Sequence, residues 1–318
     1  MNKEQYAGML KEICDIHKQE GDVAACIAKY NNLYKYVYLY NDSIFKLLFG
    51  SPDNESIAVD FLNAALHLYG SDCIEHLSFV NAELPAAFNK KIASDVVAKD
   101  QRLDRIVLEV QHVEDETFNG RLVYYAAKHT IANLVRGQHY NLRNLNLISL
   151  QMFDAFPKSD NYLHTIRLKN QENEEFFKKQ TITLVEVPKF LKGKYASDKS
   201  YFAQWLRVLD GLNNECPVSV PRDSQFALLQ EKAKLCNFTE DYLVSEAMKM
   251  SDHDYELYVE KKHARAEGLE EGRAEGRVKE RREMAAAMLA EGDSVEKVVR
   301  ISKLSEEEVL AIKAKLGK

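Results

Sequence analysis

The spacing of apolar residues changes several times along the chain. Over residues 1–40 they recur at mixed helical intervals and end in the tyrosine-rich YKYVYLY, which predicts a helical N-terminal segment. In DSIFKLLF, Ile44, Leu47 and Leu48 give a short amphipathic turn. SPDNE breaks it, and Ile57, Phe61, Leu62, Ala65 and Leu68 form a second stripe with Gly70 placed to cap it. From about Leu77 the period falls to two. KKIASDVVAKD and QRLDRIVLEVQ predict antiparallel strands joined by a polar turn that lacks the Asn-Gly or Asp-Gly pair which sets register. FNGRLVYYAAKHTIANLV returns to the helical period, with Phe118, Leu122, Tyr125, Ala126 and His129 on one core-facing side. NLNLISLQMF, YLHTIRLKN and QTITLVEVPKF predict further strands, and helices dominate from about Tyr201.

This order predicts an α/β or α+β sheet domain over 41–240, preceded by the helical segment 1–40 and followed by a helical arm over 241–318. The arm differs in kind. Gly268, Gly272 and Gly276 lie four apart among alternating charges, giving a helix with one small-residue edge that another helix could approach closely. A homodimer through this arm is the expectation. Beyond it, Asp293 with Glu296 and Ser305 with Glu308 are capping-box patterns opening two short helices. Across their KLS turn these fit either part of a helix-turn-helix or a hairpin used for packing.

Composition narrows the class without choosing a function. With 46% hydrophobic and 29% charged residues, the chain is ordinary for a globular protein. Its five cysteines form no CxxC pair, which argues against a disulfide framework and fits a reducing compartment. No signal-peptide core and no run of ~18 apolar residues occurs, so a cytoplasmic protein, neither exported nor inserted, is expected. A net charge of −6 excludes indiscriminate coating of nucleic acid, but Ala86 to Leu145 holds nine Lys and Arg against seven Asp and Glu, enough for a local basic cleft. The nine histidines form no HxH or HxxxH pair, which disfavours a zinc hydrolase, and no phosphate-binding glycine loop is present.

Candidate chemistry centres on IVLEVQ. On a strand, Glu109 and Gln111 share one face, and a half-buried carboxylate is costly unless something pairs with it. Asp95, on the preceding strand, could meet Glu109 across a twisted hairpin. Two carboxylates with a polar neighbour suit Mg²⁺, which keeps waters and substrate phosphate in its shell. Gln111 could orient an attacking water but cannot accept its proton. By itself ExQ carries almost no signal, since most occurrences are solvated strand positions. Asp104 points to the other face by parity and Asp100 lies in the turn, so both are expected to be solvated, as is His112. Arg121, Tyr124 and Lys128 form a helical stripe that suits either phosphate oxygens or solvent, whereas Tyr125 belongs to the core. Asp42 and Lys46, taken alone, read as a helix-start cap or salt bridge.

The ordered set DSIFKLLF (Asp42, Phe45, Lys46, Phe49), SDVV (Asp95), LEVQ (Glu109, Gln111), RLVYY (Arg121, Tyr124, Tyr125), VEVPKF and the glycine-periodic tail resembles the recombination-promoting nuclease and transposase-like family of the PD-(D/E)xK superfamily, from about Asp42 to about Leu304. The resemblance implies a Mg²⁺-dependent DNA endonuclease on a restriction-endonuclease-like core, a central mixed β-sheet flanked by helices, with a helical C-terminal extension. Asp95 would be the motif aspartate and Glu109 the second acidic metal ligand. Gln111 stands where the superfamily more often has lysine, and Ser94 where it has proline. Asp42, Lys46, Arg121 and Tyr124 become substrate-binding candidates. The alternative is a catalytically inactive scaffold of the same fold that binds nucleic acid or protein. RNA as the substrate would use the same chemistry.

Overall fold

A computed structural model describes residues 1–80, 83–87, 90–112, 117–132, 142–192, 194–195, 197–251 and 281–315, with backbone alone for 83–87, 90–93 and 315. It divides into two compact units, Met1–Ala247 and Met248–Lys318.

The first unit opens with helices α1 (Lys3–Lys18), α2 (Val23–Leu33), α3 (Asp42–Phe49) and α4 (Glu55–Ala65). The tyrosine-rich stretch expected to be helical is not. Tyr36 to Tyr40 are all buried, Tyr36 bridges to Lys234, and Leu39 N–H donates to Asn213 Oδ1 at 2.7 Å. Five successive buried side chains leave no polar face for a surface helix, and Asn213 supplies an acceptor that the extended backbone needs. Gly70 is likewise no cap for α4, which ends at Ala65; it opens a short 3-10 turn with positive φ.

Among the described residues eight strands follow these helices: β1 (Leu77–Phe79), β2 (Glu83–Ala87), β3 (Lys90–Ala93), β4 (Val96–Asp100), β5 (Arg105–Gln111), β6 (Leu145–Gln151), β7 (Leu163–Lys169) and β8 (Glu175–Glu186). Six form one mixed sheet in the order β1-β4-β5-β6-β8-β7, and β2 pairs with β3 separately. β5, β6 and β8 run parallel, which puts Glu109 beside Ser149 and Gln111 beside Gln151. Parallel neighbours need a long crossover. Helix α5 (Phe118–Ile131) lies in the one between β5 and β6, laying Phe118, Leu122 and Ala126 on Val97, Val107, Leu147 and Leu184.

The β4–β5 turn is held by side chains in place of an Asn-Gly pair. Asp100 Oδ1 accepts the N–H groups of Arg102 and Asp104, each at 2.9 Å, and Leu103 takes the left-handed conformation. Asp100 is therefore buried, not solvated. Asp104 is half-buried, and its carboxylate accepts Asn144 N–H at 3.0 Å and Asn144 Nδ2 at 2.6 Å, tying the starts of β5 and β6 together.

The remaining helices of this unit include α6 (Val187–Leu191), α7 (Tyr201–Asn213) and α8 (Gln225–Lys232). Trp205 of α7 meets Phe49 and Phe61 edge-on, and Gly50, at the end of α3, lies against β4. A Cβ on Gly50 would fall 2.7 Å from Lys46 O and 3.1 Å from Val96 Cγ2. Gly50→Ala should therefore cost about 1–3 kcal/mol, the usual effect of overpacking, and lower the urea midpoint without changing its slope.

In the second unit, helical backbone over 281–290 and the helices Val295–Ser302 and Glu306–Lys315 enclose Ala285, Leu289, Val298, Leu304 and Val309. Ser305 and Glu308 form the expected reciprocal cap. At the other start the cap is Ser294, which accepts Lys297 N–H at 3.4 Å, while Asp293 pairs with the Lys297 side chain. Gly268, Gly272 and Gly276 lie outside the described residues. Among the described residues no helix is long and apolar enough to cross a membrane.

Candidate active site

The carboxyl ends of parallel strands in an open α/β sheet are the usual place for a ligand, because the chain leaves the sheet there and exposes side chains and backbone around a crevice. Here that end carries the polar residues. β5 contributes Glu109 and Gln111, and β6 contributes Ser149 and Gln151 in register beside them. Towards the starts of the same strands, Val107 and Leu147 belong to the apolar cluster under α5.

Asp95 stands just before β4, where strand pairing with β5 has run out. Its Oδ2 accepts Val110 N–H at 2.7 Å, which fixes the carboxylate at the edge of β5. Glu109 is 2% exposed. Burial, followed by the charge of Asp42, pushes Asp95 up to about 7, against the opposing pull of Val110 N–H and Lys46. Burial, followed by the charge of Asp95, raises Glu109 well above the usual carboxylate range. Two carboxylates placed like this resist ionising together.

Their neighbours come from three elements. Gln111 is half-buried, and its Oε1 accepts from Arg121 Nη2 of α5 at 2.8 Å. The charge of Arg121 also reaches Glu109. Further along α5, Tyr124 lies under the ammonium of Lys128, and Tyr125 is partly buried against the core cluster. On α3, Asp42 is the first residue, but the cap is Asn41, whose Oδ1 accepts Ile44 N–H at 3.1 Å. The structure thus brings the charges of Asp42 and Lys46 to bear on Asp95, and Arg121 onto Gln111. His112, expected at the surface, is half-buried, its ring tilted against that of Tyr38, with Nε2 2.6 Å from Tyr40 O.

Four residues around the pair were not singled out by the sequence as site residues. The Ser94 hydroxyl hydrogen-bonds the Glu109 carboxylate and lies 3.0 Å from His129 Nε2. Ser149 and Gln151 are fully buried, and neither the Ser149 hydroxyl nor the Gln151 amide has a hydrogen-bond partner among the described residues. A signal for the last two was readable: ISLQ repeats in β6 the polar-apolar-polar spacing of LEVQ in β5.

Glu109 Oε1 is also buried without a hydrogen-bond partner among the described residues. Leaving such an oxygen unmatched is expensive, and the mutual repulsion of Asp95 and Glu109 adds to the cost. A hard divalent cation answers both costs, so the residues present fit one. Among the described residues, no group of three or more His, Cys, Asp and Glu side chains is placed to hold a metal ion. A cation here would thus draw two carboxylates from the protein and the rest of its shell from water and substrate, which is the habit of Mg²⁺.

The model of the PD-(D/E)XK nuclease family transposases matches residues 39–263. The chain belongs to this family. No curated protein and no solved structure matches it. The matched span runs from the buried tyrosine stretch past α8 and takes in Asp42, Lys46, Asp95, Glu109, Gln111, Arg121 and Tyr124. Membership of a nuclease family makes phosphodiester cleavage the chemistry to be sought at this end of the sheet.

Proposed function

We propose that the protein is a Mg²⁺-dependent DNA endonuclease of the recombination-promoting, transposase-like class. Asp95 and Glu109 are its metal ligands, standing for the acidic pair in the family's motif, and Gln111 stands for the lysine. The observation that carries this reading is the buried Asp95–Glu109 pair, strained by like charge and holding an unpartnered oxygen. When bound, the cation supplies Lewis acidity and charge neutralisation for an in-line displacement at phosphorus.

The chain's own residues do the rest. A carbonyl oxygen has two acceptor positions. Arg121 occupies one on Gln111 Oε1, and the other can take an O–H of the attacking water, turning that water's lone pair towards phosphorus. The amide cannot take the proton, which leaves to solvent or to a phosphate oxygen. Lys46, Arg121 and Tyr124 hold phosphate oxygens, with Asp42 shaping the charge at the mouth of the cleft.

Supercoiled plasmid incubated with the protein and Mg²⁺ should be nicked or cut, and EDTA should stop the reaction. Absence of cleavage with both Mg²⁺ and Mn²⁺ rejects the proposal. It would favour a second reading, a binding scaffold without activity, which one observation supports: Gln111 stands where the superfamily more often has lysine, and an amide cannot accept the nucleophile's proton. Arg121→Ala should cut cleavage about tenfold or more, since it loses both a phosphate contact and the hold on Gln111. Arg121→Lys should recover little, because a point charge cannot replace a guanidinium that serves two acceptors.

A further inference from the structure

We infer that Ser94 and His129 are positioning residues, a hydrogen-bond chain running from α5 through the start of β4 that orients the Glu109 carboxylate for its cation. The inference rests on the reading of Glu109 as a metal ligand and adds residues to it.

His129 lies on the buried face of α5 with Phe118, Leu122 and Ala126, and it is fully buried. An imidazole is costly there unless its nitrogens are used. Nε2 is used: it lies 3.0 Å from Ser94 Oγ, and Ser94 itself is 3% exposed. The same hydroxyl bonds Glu109.

The direction of the chain follows from donor counting. A metal-binding carboxylate only accepts, so the one proton of Ser94 goes to Glu109. The Ser94 oxygen must then accept, and the donor is His129 Nε2–H. This selects the neutral Nε2–H tautomer and leaves Nδ1, which has no hydrogen-bond partner among the described residues, as a bare lone pair. Burial, then the charges of Arg105 and Lys128, lower His129 to about 4, so the ring donates without placing a positive charge behind the cation site.

The consequence is geometric. With Ser94 engaged at the carboxylate, Oε1 remains the unpartnered oxygen and the carboxylate cannot rotate freely about its last torsion. Groups that hold a ligand from behind in this way typically contribute 10–100-fold to metal affinity. A proline at position 94 could not make this bond, so the serine that departs from the motif has a use.

Calorimetric titration of the full chain with Mn²⁺ tests the inference, with a metal-free melt recorded for every variant. Ser94→Ala and His129→Leu should each weaken Mn²⁺ binding about 10–100-fold. Ser94→Thr, which keeps the hydroxyl, and His129→Gln, which puts an amide N–H near the Nε2 position, should restore most of it. A purely structural role would lower the melting temperature of Ser94→Ala and His129→Leu and leave the affinity of the folded fraction unchanged. Wild-type affinity in both of these variants overturns the inference and leaves the ligand assignment standing. Failure of the wild type to bind Mn²⁺, or undiminished binding by Glu109→Ala, overturns the assignment and this inference with it.

Discussion

Asp95→Ala and Glu109→Ala are each expected to lower the plasmid-cleavage rate at least about a hundredfold, with the protein still folded. A hundredfold corresponds to about 2.7 kcal/mol of transition-state stabilisation, a modest figure for one of the two ligands proposed for a catalytic cation. The two variants should fail in the same way, because a cation held by one carboxylate among waters is neither bound tightly nor fixed in place. They differ in what they do to the fold. Asp95→Ala leaves Val110 N–H without its acceptor, whereas Glu109→Ala opens a small cavity and frees Ser94. Glu109→Gln keeps the volume and removes the charge, so its rate should match that of Glu109→Ala. Circular dichroism and a melt taken beside the assay separate loss of chemistry from loss of structure. Residual cleavage equal to wild type in both alanine variants would rule out the assignment.

The parts of the fold that were readable were those where burial imposes a period. α5 showed its core face in Phe118, Leu122, Ala126 and His129, and the strands β5 and β6 showed in their dense Val, Ile and Leu content, because parallel strands covered on both faces need apolar residues at nearly every position. Local rules misled where a long-range partner took over. Tyr36 to Tyr40 looked like the end of a helix, yet Asn213 and Lys234, almost two hundred residues away, hold that stretch extended. Asp100 and Asp104 looked solvated because no sequence rule says that a carboxylate will serve a turn's own N–H groups or a neighbouring strand's Asn144.

The candidate site was legible in the same uneven way. Glu109 and Gln111 stood out as polar residues in an apolar strand, and Asp95 through the order of motifs. Ser94 and His129 were each visible alone, one as a departure from proline and the other as a helix-face residue. Their meeting depends on how α5 crosses the sheet, and spacing along the chain does not encode that.

Asp95→Asn should melt higher than wild type at pH 8 in the absence of metal, while losing cleavage. Asp95 is raised to about 7 in the folded protein, from about 3.8 when unfolded, with burial the main cause and the charge of Asp42 next. For a carboxyl shifted upwards, the folded state favours the protonated form. The stability this group contributes is therefore full below about pH 4 and is lost as pH rises through about 7. At about 1.4 kcal/mol per pKa unit the loss is at most about 4 kcal/mol. Asparagine has the same shape, can still accept Val110 N–H, and has no charge to lose. The variant should escape the penalty and melt roughly 5–10 °C above wild type at pH 8, with the difference shrinking towards pH 4. Saturating Mg²⁺ should narrow the gap from the other side, by stabilising the ionised wild-type site and leaving Asp95→Asn almost unmoved. If Asp95→Asn melts below wild type at pH 8 without metal, the carboxylates are not held against their charge and the physical case for a cation between them falls. If it melts above and cleaves nothing, the instability of the empty site and its capacity for catalysis are the same property: like charges kept close, out of water, until a cation joins them.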